Sequence, residues 1–184
     1  MNSVKILVFT EGTVTMHKAA AGESREERVR QSKLAGIQKE DSSISYNSKN
    51  NTSVKPGSVY DYSSYLPIGN AVQKLTNWKN QGATICYLTS RRTKQEITTV
   101  SNMLKRFNFP DSQNLSFRQQ GEDYKDVAER QRPDVLVEDD CESIGDEKEM
   151  VYPHIKPEFK KKIKLVVVKE FAGIDNLPDN PEKL

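Results

Sequence analysis

Apolar residues cluster in short runs along an otherwise polar chain. Val4 to Phe9, Ala83 to Leu88, Val135 to Val137 and Ile163 to Val168 are each of strand length, with a weaker candidate at Leu115 to Phe117. Runs this short, apolar at consecutive rather than alternate positions, suit strands covered on both faces. Between them the apolar period lengthens to that of a helix. Ile68 to Asn80 places Ala71, Val72, Leu75 and Trp78 on one face and ends before Gly82, a C-terminal cap candidate. Thr93 to Phe107 aligns Ile97, Val100, Met103, Leu104 and Phe107 and breaks before Pro110, and a shorter helix over Asp123 to Gln131 stops at Pro133. Strands alternating with helices of this length predict right-handed βαβ units on a parallel sheet, hence an α/β three-layer domain.

One stretch, Thr15 to Leu66, departs from this rhythm. Glu23 to Ile37 has helical character, with Ser24 as N-cap candidate, glutamates early and arginines later, matching the helix dipole. The following IQKEDSSISYNSKNNTSVKPGS is rich in Ser, Asn and Lys and predicts a flexible loop. Tyr60, Tyr62 and Tyr65 then fall close together, to anchor the loop on the core or to line a pocket. The segment 15–66 is therefore expected as a small helical, cap-like insertion after strand 1, with residues 1–14 and 67–184 forming the core domain.

Composition narrows the partners. The 184 residues carry a formal net charge of +2 with both signs interspersed, which directs the chain to neither nucleic acid nor membrane. The opening MNSVKILVF holds an apolar run too short for a signal sequence or a membrane span. Two cysteines, Cys86 and Cys141, lack the spacing of a zinc site or disulfide framework. A cytoplasmic setting is expected. The lysines around Lys160, Lys161 and Lys162 read first as a solvated helix end and second as a small anionic docking patch; His17, close behind the first motif, either reaches the site or is polar surface, the second reading being the commoner for a lone loop histidine, and His154 reads as structural.

Candidate chemistry gathers where strands end. Val135-Leu136-Val137 stops on Glu138, Asp139 and Asp140; strand 1 closes with Phe9-Thr10-Glu11-Gly12-Thr13; Leu88 is followed by Thr89-Ser90-Arg91-Arg92. The C-terminal edge of an open parallel sheet is where such folds bind ligands. Gly12 lets backbone N–H groups approach an anion, while Thr13, Ser90 and Arg91 are good phosphate-binding groups. Adjacent carboxylates raise one another's pKa unless a cation lies between them, so Glu138 and Asp139, with Glu11, are candidate Mg²⁺ ligands. An acidic run taken alone is more often simply solvated.

In order and spacing these segments resemble the haloacid dehalogenase (HAD) superfamily, in its nucleotidase-like and acid-phosphatase-like branches. ILVFTEGTV is similar to a degenerate first motif hhhhDxDGT, ICYLTSR to the second, EDYKDVAERQRPD with Lys125 to the third, and DVLVEDDCESI to the fourth, hhhhDD. The resemblance implies a Rossmann-like sheet of order 5-4-1-2-3, a cap after the first motif, and Mg²⁺-dependent hydrolysis of a small phosphorylated molecule. Thr89 and Lys125 would bind the phosphate, and Glu11 would position or activate water. The first motif departs from the pattern. Aligned without a gap, Phe9 takes the place of the nucleophilic Asp and Glu11 that of the acid/base; with one residue lost, Thr10 takes the nucleophile position. Phospho-aspartate chemistry is excluded in both registers. Two functions follow: a phosphohydrolase without the covalent aspartyl step, or a catalytically inactive relative that binds a phosphorylated ligand or a protein partner. A third, structural reading pairs Asp139 with Lys125.

Overall fold

Residues with branched or aromatic side chains on a fully covered backbone favour extended pairing, and all of the expected runs form strands. The computed structural model describes residues 3–35, 44–49 and 54–184. Its large sheet contains β1 (Lys5–Phe9), β4 (Thr84–Leu88), β5 (Leu115–Ser116), β6 (Val135–Asp139) and β7 (Lys164–Val168), parallel throughout, in the order β5-β4-β1-β6-β7. A second, two-residue antiparallel ladder joins β2 (Thr15–Met16) to β3 (Leu66–Pro67). Numbered over the described residues the order is therefore 5-4-1-6-7 rather than 5-4-1-2-3, because the ladder interposes two strands between β1 and its neighbour β4.

Alternate side chains of the strands enter two apolar layers. Ile6, Val8, Ile85, Tyr87, Val135 and Val137 pack with α2 (Ala71–Asn80) and α3 (Lys94–Arg106) on one face. Leu7, Cys86, Leu88 and Leu136 pack with α4 (Tyr124–Gln131) and with Val151, Ile155 and Ile163 on the other. The result is the expected α/β three-layer arrangement. No helix among the described residues is long and apolar enough to cross a membrane.

Local chemistry sets the ends of the elements. Thr93 caps α3 through a reciprocal box with Glu96, and Asp123 does the same for α4 with Asp126. α2 starts at Ala71 rather than Ile68, since Gly69 is left-handed at φ +51° and the Asp175 carboxylate accepts the Asn70 N–H at 2.9 Å. β6 runs two residues beyond Val137. Glu138 and Asp139 continue the pairing with Val167 and Val168 of β7, and both are buried.

The inserted segment contains β2, α1 (Arg25–Ala35) and β3. Ser24 accepts the Glu27 N–H at 3.2 Å, as an N-cap should. The expected extension of α1 to Ile37, and parts of the Ser/Asn/Lys-rich stretch, lie outside the described residues. Val29 of α1 joins Met16, Ala20, Ile68 and Phe171 in a small apolar cluster of its own.

Candidate functional site

Parallel pairing in register brings three strand ends together. Phe9 faces Leu88 and Val8 faces Val137, so continuing the two registers by one and two residues places Thr10 between Thr89 and Asp139. Immediately beyond, Gly12 turns the chain at φ +82°, a left-handed conformation that glycine adopts without strain. A Cβ at that position would lie 2.9 Å from Asp139 Oδ2, so a side chain is excluded by space as well as by conformation.

The Glu11 carboxylate is held from three sides. The Thr10 hydroxyl donates to Oε2 at 2.6 Å, the Thr89 hydroxyl to Oε1 at 2.5 Å, and the Ser90 N–H to Oε2 at 3.1 Å. Asp139 accepts the Thr13 hydroxyl at 2.7 Å and the Cys141 N–H at 3.0 Å. Glu138 accepts the Val151 and Tyr152 N–H groups at 2.6 and 3.0 Å. Burial pushes Glu138 up to about 7 despite its two N–H donors. Burial likewise raises Asp139 to about 6, opposed by Thr13 and Cys141 and assisted by its carboxylate neighbours. Asp140 behaves differently: burial alone would raise it, but Lys169 at 2.8 Å and the Glu170 N–H hold it below the usual carboxylate range.

These groups border a cavity of about 70 Å³ at the C-terminal edge of the sheet. Its lining includes Glu11, Gly12, Glu138 and Asp139 from the strand ends, Phe9 and Tyr124, and Val59, Tyr62 and Tyr65 of the inserted segment. Phe9 and Tyr124 meet edge-to-face at 5.2 Å. Arg91 is almost fully buried, bonded to the Ser90 and Tyr62 hydroxyls, with its guanidinium 4.6 Å over the Tyr62 ring. Ser90 also lines the cavity, whereas Thr10, Thr13 and Thr89 stay buried behind it. Tyr62 and Tyr65 both anchor the segment in the core and face the cavity.

Several expectations are corrected. Lys125 does not line the cavity; its ammonium binds Asp126 at 2.8 Å, and that pairing raises its pKa. Tyr124 holds the cavity-facing position on α4, and one residue along a helix turns the side chain by about 100°. The pairing of Lys125 with Asp139 fails for the same reason. His17 is buried rather than polar surface: it lines the cavity, sits edge-on to Phe171 at 6.1 Å and contacts Gln31 at 3.2 Å. Burial lowers its pKa. Cys141, Glu149 and Glu170 also line the cavity. Glu170 was legible in principle, since it follows β7 at the same sheet edge; it accepts both the N–H and hydroxyl of Ser143 at 2.6 Å, and burial raises it to about 7.

The expected Mg²⁺ ligands do not fit that ion as they stand. Both carboxylate oxygens of Glu11, Glu138 and Asp139 are engaged by protein donors. Among the described residues no three His, Cys, Asp or Glu side chains come together to hold a metal, whereas Mg²⁺ demands a near-octahedral shell of oxygens. No family model, curated protein or solved structure matches this chain.

Proposed function

We propose that the chain is a HAD-like protein that has given up phosphoryl transfer and keeps the cavity as a small-molecule binding site, with segment 15–66 serving as its cap. Counted over the large sheet alone, the strands from β7 to β5 are the fifth, fourth, first, second and third in the chain, which supports a Rossmann-like core of that kind. The alignment of Thr10, Thr89 and Asp139 at one edge supports the motif assignment with Thr10 in the nucleophile position.

The Glu11 carboxylate carries the functional reading. A phosphate at the end of β4 would need the Thr89 hydroxyl and the Ser90 N–H, and Glu11 already takes both. Hydrogen bonds to a charged group contribute about 1.5–3 kcal/mol each, so a phosphate must displace a well-held carboxylate while adding its own charge beside it. The phosphate-binding Lys is absent from the cavity as well.

The hydrolase reading has one observation in its favour, the 2.6 Å hydrogen bond from Thr10 to Glu11, a nucleophile and base at working distance. Against it, Thr10 is wholly buried and does not reach the cavity. Purified protein with Mg²⁺ on nucleotides, sugar phosphates and p-nitrophenyl phosphate tests the choice. The expected result is no turnover above background for the wild type, Glu11→Gln and Asp139→Asn alike. Wild-type turnover abolished by both substitutions would overturn the binding reading in favour of the hydrolase.

A further inference from the structure

We propose that the outer edge of β7 is a docking site for an extended segment of another protein, an apolar run ending in acidic residues, which joins the sheet as a further strand. The inference goes beyond the cavity and is independent of what the cavity binds. β7 closes the sheet on one side, and its parallel pairing with β6 engages alternate residues only. The Lys164 N–H donates to the Asp134 carbonyl and the Val168 carbonyl accepts the Asp140 N–H, so the backbone groups of Lys164, Val166 and Val168 turn inward. Those of Leu165 and Val167 turn outward and meet no partner among the described residues. The opposite edge strand, β5, is only two residues long and offers no comparable template.

The side chains along this edge are apolar on both faces and incompletely covered. Val166 and Val168 lean on the core beneath α2 and α3, Leu165 on the core beneath α4, each only half-buried, and Val167 is 45% exposed. A strand added alongside would bury all four through cross-strand pairs. Protein edges of this kind are commonly blunted by charge; here the unpaired charge is of one sign and sits at one end. Lys161, Lys162 and Lys164 are exposed and have no carboxylate within ion-pair distance among the described residues, unlike Lys156 and Lys169, which bind Glu129 at 3.0 Å and Asp140 at 2.8 Å. A second copy of the chain would bring its own Lys161, Lys162 and Lys164 to an edge already positive, whereas a segment carrying carboxylates neutralises the lysines present. Antiparallel pairing, the more stable per residue, sets the C-terminal end of the occupant against the N-terminal end of β7. The acids of the occupant therefore follow its apolar run.

Fluorescence anisotropy and amide chemical shifts on the full chain provide the test. The probes are a short labelled peptide whose alternating Val/Thr run ends in consecutive glutamates, and its counterpart ending in lysines. The glutamate peptide is expected to bind at least about tenfold more tightly than the lysine peptide, less so at high salt, and to shift the amides of Leu165 and Val167. Val167→Pro removes an outward N–H without costing a ladder bond and should weaken that binding at least about tenfold. Lys161→Glu, Lys162→Glu and Lys164→Glu together, all at exposed positions, should turn the preference over to the lysine peptide. Should Val167→Pro fail to fold, the two amide shifts and the charge-reversed variant still decide the matter. No binding of the glutamate peptide, equal binding of both peptides, or shifts confined to residues away from β7 would each overturn the inference. A dimer in sedimentation velocity that Val167→Pro abolishes would overturn it too, assigning the edge to a second copy of the chain.

Discussion

Replacing Gly12 by alanine should be among the most damaging small changes in the chain, through two separable costs. The first is conformational: a residue with a Cβ at φ +82° loses about 1–2 kcal/mol relative to glycine. The second is steric. The new methyl would stand 2.9 Å from Asp139 Oδ2, on a buried side chain fixed by the Thr13 hydroxyl and the Cys141 N–H. That carboxylate cannot move without breaking bonds to buried donors, and overpacking of this kind costs about 1–3 kcal/mol. The sum, about 2–5 kcal/mol, is a large share of the stability of an ordinary domain. With a mid-range urea slope of about 2 kcal/mol/M, the unfolding midpoint should fall by about 1–2.5 M. Urea titrations of Gly12→Ala, Asp139→Ala and the double variant separate the terms. With the carboxylate gone, Gly12→Ala should cost only the conformational 1–2 kcal/mol. An equal loss in both backgrounds would refute the steric account, and a loss well under 1 kcal/mol in the wild type would refute both terms.

Other predictions follow from the same contacts. Glu138, Asp139 and Glu170 all bind protons more tightly folded than unfolded; the folded chain therefore holds the excess protons between about pH 4 and pH 7, and stability should fall as pH rises through that window. Glu170→Gln keeps an acceptor and a donor for Ser143 and should raise stability at pH 8 by up to about 3 kcal/mol while changing little at pH 4, measured by thermal midpoints across the range. Thr93→Ala removes a capping box and should cost about 1–2 kcal/mol, a fall of several degrees in thermal midpoint. Lys125→Ala breaks only a half-exposed pair with Asp126 and should shift stability by no more than about 0.5 kcal/mol; a much larger loss would contradict its placement outside the cavity.

The elements were legible because consecutive apolar residues and helical spacing are local signals, and Val4 to Phe9 or Thr93 to Phe107 contain them whole. The edge of the sheet was legible too, since acids and hydroxyls following apolar runs mark strand ends. What failed depended on a few degrees of rotation or on distant neighbours. Lys125 and Tyr124 sit side by side in sequence, and only the phase of α4 against the sheet decides which one enters the cavity. Glu138 and Asp139 read as metal ligands just past the end of a strand. They lie inside it because backbone donors at Val151, Tyr152 and Cys141, and the Thr13 hydroxyl, come from elsewhere in the chain to meet them. His17 gave no sign of burial, since its partners Gln31, Tyr65 and Phe171 are gathered by the fold rather than by its own neighbourhood.

The position of β1 at the centre of the sheet has a consequence for synthesis. Lys5 pairs opposite Thr84, 79 residues later, and Ile6 opposite Val135, 129 residues later. At translation rates of about 5–20 residues per second, β1 waits on the order of ten seconds before its second neighbour exists. During that interval Ile6, Leu7, Val8 and Phe9 have no completed sheet to enter. The nascent chain thus presents β1 well before its second neighbour is made and covers it late, which makes this topology slow to fold and a natural client for a chaperone that binds short apolar segments.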